Sequence, residues 1–325
     1  EHVDEGMLPN RFPDTGGEAE YNTVDATLWY FEAVRQYVEA TDDLALVRDR
    51  LFRILADIVA WHERGTRYGI RVSPDGLVEW HAPGEALTWM DARVGGRPVT
   101  PREGKPVEVQ ALWFNALRTM SDFAKRIGEE NSSNGYRARA EACRTSFLSA
   151  FPDEGRSGGL VDCIDGALRD RSIRPNQVLA VSLYHSMVPK PLARRILAVV
   201  EKHLLTPYGL RTLSPRDPAY RGRYEGGPAK RDSAYHQGTA WPWLLGAYAA
   251  AFRRVHGGGP KTSKAIRALL APLAGFLLGD GLGQIPEIFD GDAPHRPRGC
   301  VAQAWSVAEV LRMAVGGRVR SLDEP

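Results

Sequence analysis

The chain has 325 residues, 43% of them hydrophobic, with 42 basic against 40 acidic side chains and a formal charge of +2. That balance, with no run of like charge, excludes a phosphate-tracking or membrane-surface protein, so neither nucleic acid nor a membrane is an expected partner. Three cysteines, Cys143, Cys163 and Cys300, stand in no C-x-x-C arrangement, so they suggest neither a disulfide framework nor a zinc site; a reducing cytoplasm is the expected compartment, with no metal and no cofactor.

In chain order, the first periodic segment runs from Asn22 to about Ala40, with Val24, Leu28, Phe31, Val34 and Val38 on one helical face. A second follows at once. Leu44, Val47, Leu51, Ile54, Ile58 and Trp61 step by threes and fours, and Gly65 is its stop. Tyr68 to Trp80 carries Ser73-Pro74-Asp75-Gly76 between two short apolar runs, which predicts a hairpin excursion and not a sheet. Further helices are expected near 106–127, 135–151, 175–188, 190–204, 239–254, 261–278 and 300–314, about nine in all.

Charge divides these helices into two kinds. Residues 176–188 and 239–252 contain no Asp, Glu, Lys or Arg, and 300–311 contains only Glu309, so all three should be buried all round. Between them lie amphipathic helices, such as the one carrying Lys190, Arg194, Arg195, Glu201 and Lys202. That alternation predicts an all-α fold of two concentric helical layers, an α/α toroid forming a single domain over 1–325. An α-solenoid is the competitor, but no repeat of fixed length is present. Loops leading into the buried helices are long: 65–105, 152–175, 205–238 and 279–299, joined by the opening segment 8–22. Function is expected on that rim.

The rim residues suit sugars. A pyranose offers C–H faces to aromatic rings and hydroxyls to amides, carboxylates and guanidinium groups. Stacking candidates are Trp80, Trp89, Tyr224, Tyr235, Trp241 and Trp243; hydroxyl-binding candidates are Asn22, Asp25, Arg211, Asp217, His236 and Gln237. Each lone aromatic has a competing reading as helix-end packing. Two carboxylates stand apart. Asp91, after Leu87-Thr88-Trp89-Met90, is placed for desolvation and a raised pKa, as a general acid requires. Glu287, in Gln284-Ile285-Pro286-Glu287-Ile288-Phe289, is placed to orient an attacking water. Inverting hydrolysis needs two such groups roughly 6.5–9.5 Å apart. The competing reading for either is a carboxylate at a helix N-terminus. No P-loop or H-E-x-x-H motif offers another chemistry.

Several stretches then converge on one family. LPNRFP at 8–13, EYNTVDATLW at 20–29, LTWMDARVG at 87–95, RPNQ at 174–177, LLTPYGLRTLSPRDPAYRGRY at 204–224, AYHQGTAWPWLLG at 234–246 and IPEIFDGDAPHRPRGCVAQAWSVAEVLR at 285–312 resemble the C-terminal domain of glycogen debranching enzymes. The resemblance implies an (α/α)6 toroid of the six-hairpin glycosidase type and an amylo-α-1,6-glucosidase activity that releases glucose with inversion. It implies branched α-glucan, glycogen or limit dextrin, as substrate, with Asp91 the acid and Glu287 the base. The opening helices of the family's barrel have no counterpart here, so a longer native polypeptide is expected, and an apolar wall would be exposed where those helices pack. A glucoamylase-like or trehalase-like exo-glycosidase, or a catalytically incomplete glucan-binding scaffold, are the alternatives.

Overall fold

The computed structural model describes residues 1–155 and 157–316. Ten helices dominate it. They are α1 (Ala26–Thr41), α2 (Leu44–Leu46, then a π segment Val47–Leu51, then Phe52–Arg64), α3 (Val107–Arg126), α4 (Glu130–Ala150), α5 (3-10 over Pro175–Val178, then Leu179–Ser182), α6 (Lys190–His203), α7 (Pro228–Tyr235), α8 (Leu244–His256), α9 (Pro260–Leu278) and α10 (Ala304–Val315).

Helix contacts follow the expected alternation. The helices α1, α3, α5, α8 and α10 touch in that order, each packed on the next, while α2 and α4 lie against α3, α6 and α9 lie against α8, and α9 also meets α10. Burial agrees for the middle of the series. Every residue of α3 is buried except Arg118, Asp122, Lys125 and Arg126, and every residue of α8 except Phe252, Arg253 and His256. At the last helix the expectation fails. Only Ser306 and Met313 of α10 are buried, and Leu311 and Val315 are 60% and 73% exposed. The reason is coverage: α10 packs on α8 and α9, which leaves the rest of its surface open.

Three boundaries differ from the periodic reading, each for a local reason. The helix expected over 175–188 ends at Ser182, where the Arg254 guanidinium takes the freed carbonyls of Val181, Leu183 and Tyr184, the last at 2.8 Å. The one expected from 239 starts at Leu244, because Ala240–Trp241 pairs in a sheet ahead of Pro242. In α2 the apolar stripe slips. Ile54 is exposed and Leu55 buried, since the π segment adds a residue to one turn and rotates everything after it. The short helix α7 lies inside a rim loop and offers no apolar face to read; only Ala234 of it is buried.

The fold is not purely helical. Four small antiparallel sheets stitch the rim loops together, in strands of two or three residues. One is the expected hairpin, Arg71–Val72 against Val78–Glu79. A three-stranded sheet joins Lys105–Pro106 to Cys163–Asp165 and Leu168–Asp170, fastening loop 65–105 to loop 152–175. A four-stranded sheet runs Pro297–Arg298, Ile288–Phe289, Ala240–Trp241, Leu210–Arg211. Its register sets Phe289 and Arg211 on either side of Ala240, which brings Glu287 up beside the entrance of α8.

Candidate active site

The rim loops enclose a cavity of about 480 Å³ together with residues of α1, α5, α8 and α10. Of the residues picked out in the sequence, Asn22, Asp25, Trp89 and Asp91 line it. So do Tyr235, His236, Trp241, Trp243 and Glu287.

Five candidates lie off the cavity wall. Tyr224 sits behind it, its ring tilted against that of Tyr235 at 5.5 Å. Trp80 is buried in the core, its backbone paired both ways with Gly104 at 3.0 Å, because the hairpin turns its ring inward. Arg211 spends its guanidinium on the carbonyls of Gly291, at 2.8 Å, and Leu205. Asp217 accepts the Ala219 N–H at 2.9 Å in a turn. Gln237 is buried and bonded to Arg174, the Val99 carbonyl and Thr100, so it holds loops and not a ligand.

The cavity also has residues that the sequence reading missed. Trp29, Glu32 and Gln36 continue from Asp25 down one face of α1, and Trp305, Glu309 and Arg312 descend α10 in the same way. Each set recurs at three- or four-residue steps, so a second stripe of helical period beside the apolar one was the available signal. Glu32 is buried and fully engaged: Arg35 donates at 2.9 and 2.7 Å, Gln36 at 2.9 Å and Asn115 at 3.0 Å. Glu309 takes a two-pronged bond from Arg312 at 2.9 and 2.5 Å. Glu108, at the cavity wall, is paired with the buried Arg102. Among the described residues no arginine or lysine pairs with Asp91 or Glu287, in contrast to these three.

Aromatic rings form much of the cavity wall. Trp89 meets His236, Trp241 and Trp243 edge-on at 5.2–5.4 Å, and Trp243 stacks on Trp305 at 5.2 Å. His236 lies flat on Trp241 at 5.3 Å. Burial lowers its pKa to about 3, so its ring is neutral. Its Nδ1 accepts the Ala92 N–H at 3.4 Å, which puts the proton on Nε2.

The two carboxylates are held differently. Asp91 is open to solvent, yet protein crowding raises its pKa first through desolvation and then through the charge of Glu287. These facts are compatible, because a carboxyl facing a narrow cavity is wetted but has lost much of its bulk hydration. Glu287 is clamped. The Cys300 N–H and the Gln303 amide each donate to it at 3.1 Å, and its own N–H bonds the Cys300 carbonyl at 2.9 Å. Gly299 makes this possible: it sits at φ +69°, and a Cβ there would lie 2.3 Å from Glu287 Oε2. Tyr235 reaches Glu287 with its hydroxyl; burial, then that bond and charge, push the phenol well up.

Asp25 turns out to be a clamp as well as a wall residue. One oxygen accepts the Trp89 N–H at 2.8 Å and the other the Thr23 hydroxyl at 2.6 Å. Its burial outweighs both bonds and raises its pKa.

A model of the amylo-alpha-1,6-glucosidase family matches residues 1–312. The Saccharomyces cerevisiae protein named glycogen debranching enzyme is 23% identical over 338 residues, which cover 77% of this chain. The chain spans 22% of the length of that relative. No helix among the described residues is long and apolar enough to cross a membrane. With nearly its whole length matched, the chain belongs to the amylo-alpha-1,6-glucosidase family, a glycosidase family of the glycogen-debranching type.

Proposed function

We propose that this chain is the glucosidase portion of a debranching enzyme, built on the (α/α)6 toroid plan, which hydrolyses α-1,6-linked glucose from branched α-glucan in the cytoplasm. One observation carries the reading: Asp91 and Glu287, from loops far apart in sequence, line a single aromatic-walled cavity in which the charge of one is felt by the other. In this reading Asp91 enters protonated, as its raised pKa favours, and gives its proton to the glycosidic oxygen as the C1–O bond breaks. Glu287, fixed by Cys300 and Gln303, takes a proton from the water whose oxygen bonds C1 from the opposite face. Solvent resets both groups. The anomeric centre inverts.

Trp89, Trp241, Trp243 and Tyr235 supply ring faces and edges for the sugar, and Asn22 and His236 supply an acceptor and an Nε2–H donor for its hydroxyls. Among the described residues neither Asn22 Oδ1 nor His236 Nε2 has a hydrogen-bond partner, so a small shift at the cavity wall would offer both to a sugar hydroxyl. The test is glucose release from phosphorylase-limit dextrin by the full-length protein. Asp91→Asn and Glu287→Gln should each lower kcat by about 10²–10⁴-fold while sparing glucan binding; near-parental rates in either variant would remove that residue from the mechanism.

A further inference from the structure

The segment RPNQ at 174–177 contributes no side chain to the cavity wall, yet it is buried throughout at the start of α5. Its side chains are spent on the rim. Arg174 donates to the carbonyls of Thr212 and His236 at 3.1 and 2.9 Å and to Gln237 at 3.1 Å. Gln177 takes the Leu160 N–H at 3.1 Å. Asn176 bridges two layers: its oxygen accepts the Trp89 indole N–H at 2.9 Å, and its amide donates to Asp162 at 2.8 Å. Asp162 in turn holds the fully buried Arg102, which also pairs with Glu108.

The loop around Asp91 is therefore tied at every neighbouring residue. Trp89 is gripped at its backbone by Asp25 and at its indole by Asn176. The Met90 sulfur lies 3.7 Å from the Asn176 amide and 4.0 Å from Arg174, and the Ala92 N–H meets His236. Among the described residues no side chain bonds Asp91 itself. We propose that Asn176 is a positioning residue, which fixes Trp89 and Met90 against the buried Asp162–Arg102–Glu108 ion cluster and so aims the Asp91 carboxylate into the cavity. This rests on the catalytic reading of Asp91.

A double-mutant cycle in the full-length protein tests it. If Asn176 acts through the indole, Asn176→Ala should lower kcat by about 10- to 100-fold with little change in KM. The same change in a Trp89→Phe background should then cost little more. Asn176→Asp keeps an acceptor for the indole and shares a proton with Asp162, so it should lose thermal stability yet stay within about threefold of parental kcat. Hydrogen exchange of the Trp89 indole N–H, assigned by its absence in Trp89→Phe, should accelerate in Asn176→Ala and not in Asn176→Asp. Multiplicative losses in the cycle, Asn176→Asp as slow as Asn176→Ala, or an indole still protected in Asn176→Ala would each overturn the proposal. Should Asn176→Ala not fold, parental turnover in Asn176→Asp beside an impaired Trp89→Phe supports it, and equal impairment overturns it. A parent that releases no glucose would sink the functional reading alone, because indole exchange needs no turnover.

Discussion

Asp25 and His236 are both buried beside the cavity, and they make opposite demands on pH. Burial raises Asp25 above the ordinary carboxylate value of 3.8, so the folded chain binds that proton more tightly than the unfolded one. Its contribution to stability is complete below pH 3.8 and is lost as pH rises through the raised value. Asp25→Asn keeps an acceptor for the Trp89 N–H and gives the Thr23 hydroxyl a donor, so it should remove this component. Thermal denaturation against pH checks it: the parent should show a steeper decline than the variant above pH 3.8, and parallel curves would contradict the assignment. His236 runs the other way. Its pKa falls from 6.5 to about 3 on burial, so the stability linked to its neutral ring is present above pH 6.5 and is lost on acidification toward about 3. Asp91, raised, predicts that the alkaline limb of kcat reflects its deprotonation and lies above the ordinary carboxylate range.

Which residues face the cavity was partly readable one at a time. Asp91, Glu287, Trp89, Trp241, Trp243, Tyr235 and His236 were visible because each stands in a polar or aromatic cluster within a long loop. Gln237 and Arg211 carried the same signature and serve the loops instead, since a side chain that binds hydroxyls equally well binds backbone carbonyls. Sequence position cannot say which of the two it meets.

Among the elements, two glycines mark where backbones and carboxylates come closest. At Gly246 on α8 a Cβ would fall 2.0 Å from Glu309 Oε2, and Glu309 is pinned by Arg312, so α10 sits on α8 through this gap. Gly246→Ala should push α10 outward and cost about 1–3 kcal/mol, read by denaturant unfolding; a change below about 0.5 kcal/mol would mean the Glu309 side chain simply swings away. Gly299→Ala acts on chemistry instead. It should displace Glu287 and lower kcat with little effect on glucan affinity, whereas an unchanged kcat would show that the clamp tolerates a shift. Helices were legible wherever a period of three and four persisted, and they were misread where something local interrupted it. The π segment of α2 and the capture of the α5 carbonyls by Arg254 are such interruptions, and neither leaves a mark in hydrophobic pattern. The small sheets were nearly invisible, because two-residue strands have no periodicity to read.

At the scale of the molecule, the charge pattern predicts buried helices alternating with amphipathic ones, and α1, α3, α5, α8 and α10 pack on one another in that order with the others against them. The last helix departs from it: a single Glu309 over 300–311 predicts burial, yet only Ser306 and Met313 of α10 are buried. Leu278, Leu282, Val301, Leu311 and Val315 are all exposed on or near α9 and α10. Exposed apolar side chains in such number promote association. Leu311→Glu with Val315→Glu should therefore lower self-association of the 325-residue chain in sedimentation velocity while leaving its melting temperature within a few degrees of the parent; undiminished association would place the sticky surface elsewhere.

In the proposed reaction a sugar sits between Asp91 and Glu287 and water arrives from the Glu287 side. Proton NMR of the first glucose released from limit dextrin by the full-length protein reads this directly, before mutarotation blurs it. The β-anomer is the expected first product; initial release of the α-anomer would contradict the proposed roles.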